Sequence, residues 1–492
     1  MTSPLEQDKS EPHSLQPQAD NLSFHSVVSG DRSSLVNRKD GTLQSPTPIT
    51  SLYQGTFDSI RQRQLAPRTP GSIDANSWTY LVNLTATMLP INGGGSGHKY
   101  DQLKNLKDLT KDTNSEVIVQ QYDDQTGMLR RYEIAHGQIN EFEPTMSFGT
   151  AKDLQNLVAM APSQGHIGLI NEAHGNGALG FHGDAGALSI ENFQTAVQNG
   201  LASTGRTSLD VLSIDSCLMG NVNFLSSVSS LSKHIVASEL EEFSSIELSA
   251  SPPRTIYDMQ PADAYLAAML KHPPADGKEA AKTIFDVSSK TCDAQSPPNN
   301  ACGTPTLAIY DSQAAPQAEL ALDKFGETLQ QTIKDPSARS AVDALIGKFP
   351  DLSQNGDHLR DVDSFAQGVI GLIDSGQLSD PHRRLRDAAV SSIAADKALV
   401  KGAYLNTNSL WAQIVGTQNL HGLNVFLPGA NFDIRKEAEN LVDIDDAKMM
   451  PLNELLDKEI ASALPNDSNG GWANFVRTLR STSIGTQVSF SP

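Results

Sequence analysis

From Trp78 to about residue 240 the chain alternates short apolar runs with amphipathic stretches, and this pattern constrains its fold most tightly. WTYLVNL (78–84), SEVIVQQYD (115–123), GHIGLINEAHGNG (165–177), LDVLSIDSC (209–217) and HIVASELE (234–241) each contain a continuous run rich in β-formers. Such runs are strands buried on both faces. The segments between them, near 99–111, 148–161, 189–202 and 218–231, have helical spacing. In the third, Ser189 is placed to cap the helix, and Phe193, Ala196 and Val197 share one face. MLRRYEI (128–134) follows a turn at Gly127 and pairs back as a hairpin. Strand and helix in alternation predict an α/β fold: a mostly parallel central sheet with helices on both faces. Beyond it, helices are expected near 259–271, 279–289 and 315–346. Strands are expected at TLAIYD (306–311) and GLNVFLP (422–428), and C-terminal helices at ELLDKEIA (454–461) and WANFVRTL (472–479).

Residues 1–75 lack this periodicity and are rich in Ser, Pro, Gln and Asn, which predicts a flexible leader with a short ordered piece near Leu52–Phe57. The folded region then spans 76–480, and 481–492 reads as a short polar tail. The chain carries 57 acidic and 37 basic side chains, a net charge of -20, of which the leader holds only -1. A nucleic-acid binder needs a basic patch to displace counterions, so that class is excluded. The polar start has no apolar signal-peptide core, and no apolar run reaches the ~18 residues of a membrane span. The three cysteines are too few for a disulfide scaffold. Cys292 and Cys302 lie ten apart and would pair in an oxidising compartment or remain thiols; Cys217 stands alone.

Two of the expected parallel strands end in reactive residues. INEAHGNG brings His174 to the end of one, followed by Gly175, Asn176 and Gly177; LSIDSCLMG brings Cys217 to the end of the other. Open α/β sheets bind ligands at the carboxyl ends of their strands. A neighbouring imidazole and a helix starting directly after Cys217 would both favour its thiolate. The backbone N–H groups of Gly175 and Cys217 would serve as oxyanion donors. Asp215, two residues before Cys217, falls on the same side by the period-2 rule and would accept a basic side chain.

These blocks together resemble the clostripain-like cysteine peptidases, relatives of gingipains, legumains and caspases. The resemblance runs through WTYLVNLTA (78–86), TMSFGTAKDLQNLV (145–158), HIGLINEAHGNG (166–177), LDVLSIDSCLMGNVNFL (209–225), IVASELE (235–241), TLAIYD (306–311) and HGLNVFLP (421–428). Its most specific part is the His-Gly-x-Gly strand combined with Asp-x-Cys-Leu-Met. It implies a caspase-like fold over roughly 76–480 and a His174/Cys217 dyad with no third acid. It implies cleavage of protein or peptide substrates after Arg or Lys, with Asp215 lining the pocket and Glu239, Glu241 or Glu242 adding charge to its other wall. The departures concern substrate preference more than the dyad: Glu172-Ala173 precedes His174, and no Asp-Asn pair follows the first strand.

Relatives are often processed between the two blocks, yet Gly175–Gly205 holds no Lys or Arg, so cleavage in the leader, after Arg61, Arg63 or Arg68, is easier to reach. No cofactor is required. Calcium stays open, with Asp123, Asp124, Asp184 and Glu239–Glu242 as oxygen donors, none at EF-hand spacing. The resemblance implies a bacterial, exported protein, which without an apolar signal means a specialised route; a cytoplasmic protein is the alternative. Two other functions stay open: a peptidase of this fold with a non-basic preference, and a non-catalytic effector or binding protein.

Overall fold

The computed structural model describes residues 75–487 with internal interruptions, the longest at 85–96, 407–414 and 433–455. Residues 1–74 of the expected leader, Glu241, Glu242 and Cys302 lie outside the described residues. The described residues fall in one compact unit, Pro67–Pro492.

The apolar runs form the sheet. Its strands are β1 (Trp78–Leu84), β2 (Glu116–Asp123), β3 (Met128–Ala135), β4 (Gln138–Glu141), β5 (His166–Glu172), β6 (Leu209–Asp215), β7 (Ser232–Ala237), β8 (Thr306–Asp311) and β9 (Val400–Leu405). They lie in the order β9-β8-β7-β6-β5-β1-β2-β3-β4, with Thr145–Met146 paired to β3 off this path. The central pairs β7–β6, β6–β5, β5–β1 and β1–β2 are parallel, and antiparallel strands flank them at both sides. The α/β sheet expected from the sequence is present.

Helices cover both faces. One core joins Leu81, Ile118, Leu169, Leu212, Ile214 and Ile235 to α2 (Thr150–Val158), α3 (Ile190–Ser203) and α4 (Val222–Ser227). The other joins Trp78, Tyr80, Val82, Val117, Val211 and Val236 to α1 (Gly97–Leu109), α5 (Pro261–Lys271) and α6 (Gly277–Gln295). Neighbouring residues along each strand feed opposite cores, which is why the runs read as continuously apolar. Ser189 caps α3 as expected, its hydroxyl accepting from Asn192 N.

One row across the sheet is polar. The side chains of Asn171 (β5), Asn83 (β1), Gln120 (β2) and Arg131 (β3) stand at paired positions. Asn83 donates to Asn171 (2.8 Å), Gln120 donates to Asn83 (2.9 Å) and Arg131 Nε donates to Gln120 (2.8 Å). All four are buried, and burial of such groups costs stability unless they bond one another.

Several elements differ from expectation. The helical stretch 315–346 is two helices, α7 (Ala315–Thr332) and α8 (Pro336–Ile346), because Pro336 cannot continue a helix and Asp335 caps the next one. Helices α9 (Val362–Asp374) and α10 (Arg384–Leu399), with β9 after them, fill a region the sequence left unread. GLNVFLP does not join the main sheet; Asn424–Phe426 pairs antiparallel with Leu359–Asp361 in a two-stranded ribbon. The last helix, α11 (Gly471–Gln487), runs past Arg480 into the segment read as a polar tail. Cys292 is disulfide-bonded and Cys217 is outside any disulfide. Among the described residues no helix is long and apolar enough to cross a membrane.

Candidate active site

The register of β5 against β6 brings the two blocks together. Glu172 pairs with Asp215 at the ends of these adjacent parallel strands, and His174 and Cys217 each stand two residues further on. Beyond the strand ends, Ala173 N still reaches Asp215 O (3.4 Å) and Ser216 Oγ (3.3 Å). His174 is exposed, and Gly175 beside it is buried. The two pair with His182 and Phe181 in a small separate sheet formed by His174–Gly175, Phe181–Gly183 and Gly186–Leu188.

Gly175 rests on the backbone of Cys217. A Cβ at that glycine would lie 3.0 Å from Cys217 N and 3.1 Å from its carbonyl carbon, and closer still to its carbonyl oxygen. Only a residue without a side chain fits there, and its fit sets the main chains of the His and Cys segments against each other. Gly177 follows with φ +55° and lies against Leu359 and Leu218.

The environment of Cys217 departs from expectation in two respects. No helix begins at the cysteine. The nearest, α4, starts at Val222 behind Asn221, whose Oδ1 accepts the N–H groups of Asn223 (3.0 Å) and Phe224 (3.3 Å). With those donors already bonded and four residues intervening, the helix terminus does not stabilise a thiolate. Residues 217–221 instead form a turn with Leu218 at φ +65°. Second, Cys217 lies past the end of the strand on which the expectation for Asp215 rests. Strand β6 ends at Asp215, and Cys217, partly buried, packs on the core that includes Leu218 and Met219.

The turn is held from behind. Leu218 N donates to Leu240 O (3.0 Å) and Gly220 N to Ser238 O (2.6 Å). Gly220 lies so close to the Tyr310 hydroxyl and Glu239 Cα that a side chain would not fit. Asn424, fully buried, meets the turn at several points. Its amide donates to Leu218 O (3.1 Å) and Glu239 O (2.9 Å), and its backbone N to Gly220 O (2.7 Å). Sequence reasoning missed Asn424. The available signal was an asparagine inside the apolar run GLNVFLP, since a buried amide needs partners.

Glu239, expected on a pocket wall, is turned into the protein. Its Oε2 accepts from Gly422 N (2.7 Å), and it is 1% exposed. Burial, with Asp361 beside it, pushes its carboxyl well above the usual range. Asp361 also caps α9 and accepts from His421 Nδ1 (2.8 Å); that bond raises the His421 pKa against the effect of burial. Asp363 and Asp396 stand in the same group, both raised by burial. Among the described residues no three His, Cys, Asp or Glu side chains converge to hold a metal. Asp124, Asp184, Glu241 and Glu242, considered as calcium donors, lie outside them.

No family model and no curated protein matches the chain. Solved structures similar to it include a secreted C11 cysteine protease from Bacteroides thetaiotaomicron in complex with an irreversible peptide inhibitor. That match has 14% identity, 76% of this chain and 98% of that one covered, and a TM-score of 0.48. Another is an inactive zymogen C11 protease from Parabacteroides distasonis, with 13% identity, 76% and 99% coverage, and a TM-score of 0.45.

Proposed function

We propose that this chain is a cysteine endopeptidase in which Cys217 is the nucleophile and His174 the general acid and base. The carrying observation is the register: Glu172 and Asp215 pair at the ends of adjacent parallel strands, His174 and Cys217 each follow two residues later, and Gly175 packs on the Cys217 backbone. The resemblance of both sequence blocks to clostripain-like peptidases supports the same reading.

In this mechanism the Cys217 thiolate attacks the scissile carbonyl. The N–H groups of Gly175 and Cys217 hold the oxyanion, a role the packing of Gly175 on the Cys217 backbone supports. His174 protonates the leaving amine and then activates water to hydrolyse the thioester. With no helix terminus at Cys217, the imidazolium is the main support of the thiolate. Asp215 supplies the charge that selects Arg or Lys before the cleaved bond. Protein or peptide substrates follow. The reaction as written needs no cofactor; a rate that a calcium chelator abolishes and calcium restores would add an ion to it.

Cys217→Ala should abolish cleavage of a fluorogenic Arg or Lys peptide with an unchanged circular-dichroism spectrum, and an arginyl acyloxymethyl ketone should label Cys217 in the wild type. Wild-type turnover by the alanine variant overturns the reading. Cleavage confined to peptides without basic residues would favour a peptidase of different preference.

A further inference from the structure

We propose that Asn424 is a positioning residue for the nucleophile, holding the 217–221 turn in the conformation that carries Cys217. The inference rests on Cys217 being the nucleophile. Leu218, directly after it, has φ +65°, a conformation unfavourable for a leucine because its Cβ crowds the following carbonyl. Such a residue persists only where its surroundings over-determine it.

Asn424 does this from a distant part of the chain. One side-chain amide donates to both Leu218 O (3.1 Å) and Glu239 O (2.9 Å), tying the turn to the segment after β7. Its backbone N fixes Gly220 O at 2.7 Å, two residues further along the turn. The amide is itself oriented, because Asn221 Nδ2 donates to Asn424 Oδ1 (2.8 Å). That bond decides which end of the amide faces the carbonyls. Asn221 and Asn424 also form an isolated parallel β-bridge. Both asparagines are fully buried. An aspartate at 424 would keep the size but present an oxygen where two carbonyls require a donor.

The role predicts a signature that loss of stability alone does not produce. A purely structural residue lowers the folded fraction and leaves the surviving molecules unchanged. A positioning residue changes the reactivity of the cysteine within folded molecules. The test uses the full chain and two variants. Asn424→Asp removes the donors to both carbonyls. Asn221→Asp retains the acceptor that caps α4 and loses only the donor that orients Asn424.

Two measurements are made on protein shown to be folded by thermal melting. The first is kcat and KM on an Arg or Lys peptide. The second is the rate of Cys217 alkylation by iodoacetamide from pH 5 to 10, located by peptide mass. Expected for Asn424→Asp is a kcat reduced about 10- to 100-fold with KM within about twofold, and an alkylation profile displaced along the pH axis. Asn221→Asp should move both in the same direction by less, and it decides the matter if the first variant does not fold. A wild-type alkylation profile in folded variants, or activity lost only in step with the folded fraction, overturns the proposal. If the wild type cleaves no peptide yet the alkylation profile shifts, the peptidase reading fails and the positioning of Cys217 stands.

Discussion

Replacing Gly175 with alanine tests the junction of the two segments directly. Gly175 is not among the glycines with positive φ, so its requirement is one of space and not of backbone freedom. The added Cβ would lie 3.0 Å from Cys217 N and 3.1 Å from Cys217 C, with the carbonyl oxygen closer than either. These are main-chain atoms, which cannot swing aside as a side chain would. Relief of the carbonyl-oxygen contact to an ordinary distance of about 3.5 Å needs a separation of the two segments by at least about 1 Å. A misplacement of that size costs about 10²-fold in rate, or about 2.7 kcal/mol of transition-state stabilisation. Overpacking costs a further ~1–3 kcal/mol of stability. The assay is kcat on a fluorogenic basic peptide beside a thermal melt of the same sample. Gly205→Ala is the control: Gly205 has φ +78° but nothing within 4 Å of an added Cβ, so it loses some stability and keeps its rate. Folded Gly175→Ala with wild-type kcat would refute the reasoning.

Asp215→Ala should depress kcat/KM for Arg and Lys peptides at least tenfold while sparing neutral ones; an unchanged preference profile across a peptide library removes Asp215 from the pocket. Glu239→Gln tests the buried carboxyl group. Because the folded pKa of Glu239 is raised, its contribution to stability is complete below its unfolded value near 4.5 and is lost as pH rises through the folded value. The glutamine, which does not ionise, should therefore gain stability relative to wild type between pH 4.5 and 8. A difference in melting temperature that stays constant over that range argues against the assignment. Ser189→Ala should cost about 1 kcal/mol by removing the α3 cap, measured by urea unfolding, with no effect on kcat.

What the sequence revealed follows from which forces are local. The central strands were legible, β1 to the residue, because burial on both faces leaves continuous apolar runs between polar boundaries. That His174 and Cys217 each follow the end of a buried strand was legible because each comes directly after such a run. The cysteine turn was not. LMGNVNFLSSVSSL has a helical apolar pattern, but Asn221 starts the helix late and only Val222–Ser227 is helical. The turn's conformation is decided by Asn424, some 200 residues away in the chain, and no local pattern encodes that bond. Leu359–Asp361 is three residues long and exists as a strand only through Asn424–Phe426. Glu239 reads as a surface acid from its acidic neighbours, and only the packing of Gly422 and Asp361 around it shows otherwise.

The row Asn171–Asn83–Gln120–Arg131 acts as a parity check on the sheet. A slip of one residue in any of these strands would send its polar side chain to the opposite face and strand its neighbours' amides in hydrocarbon. Misaligned pairings are thereby penalised at four strands simultaneously. The height of β5, and with it the level at which the chain runs on into His174, is indexed to an arginine about 14 Å away across three strand spacings.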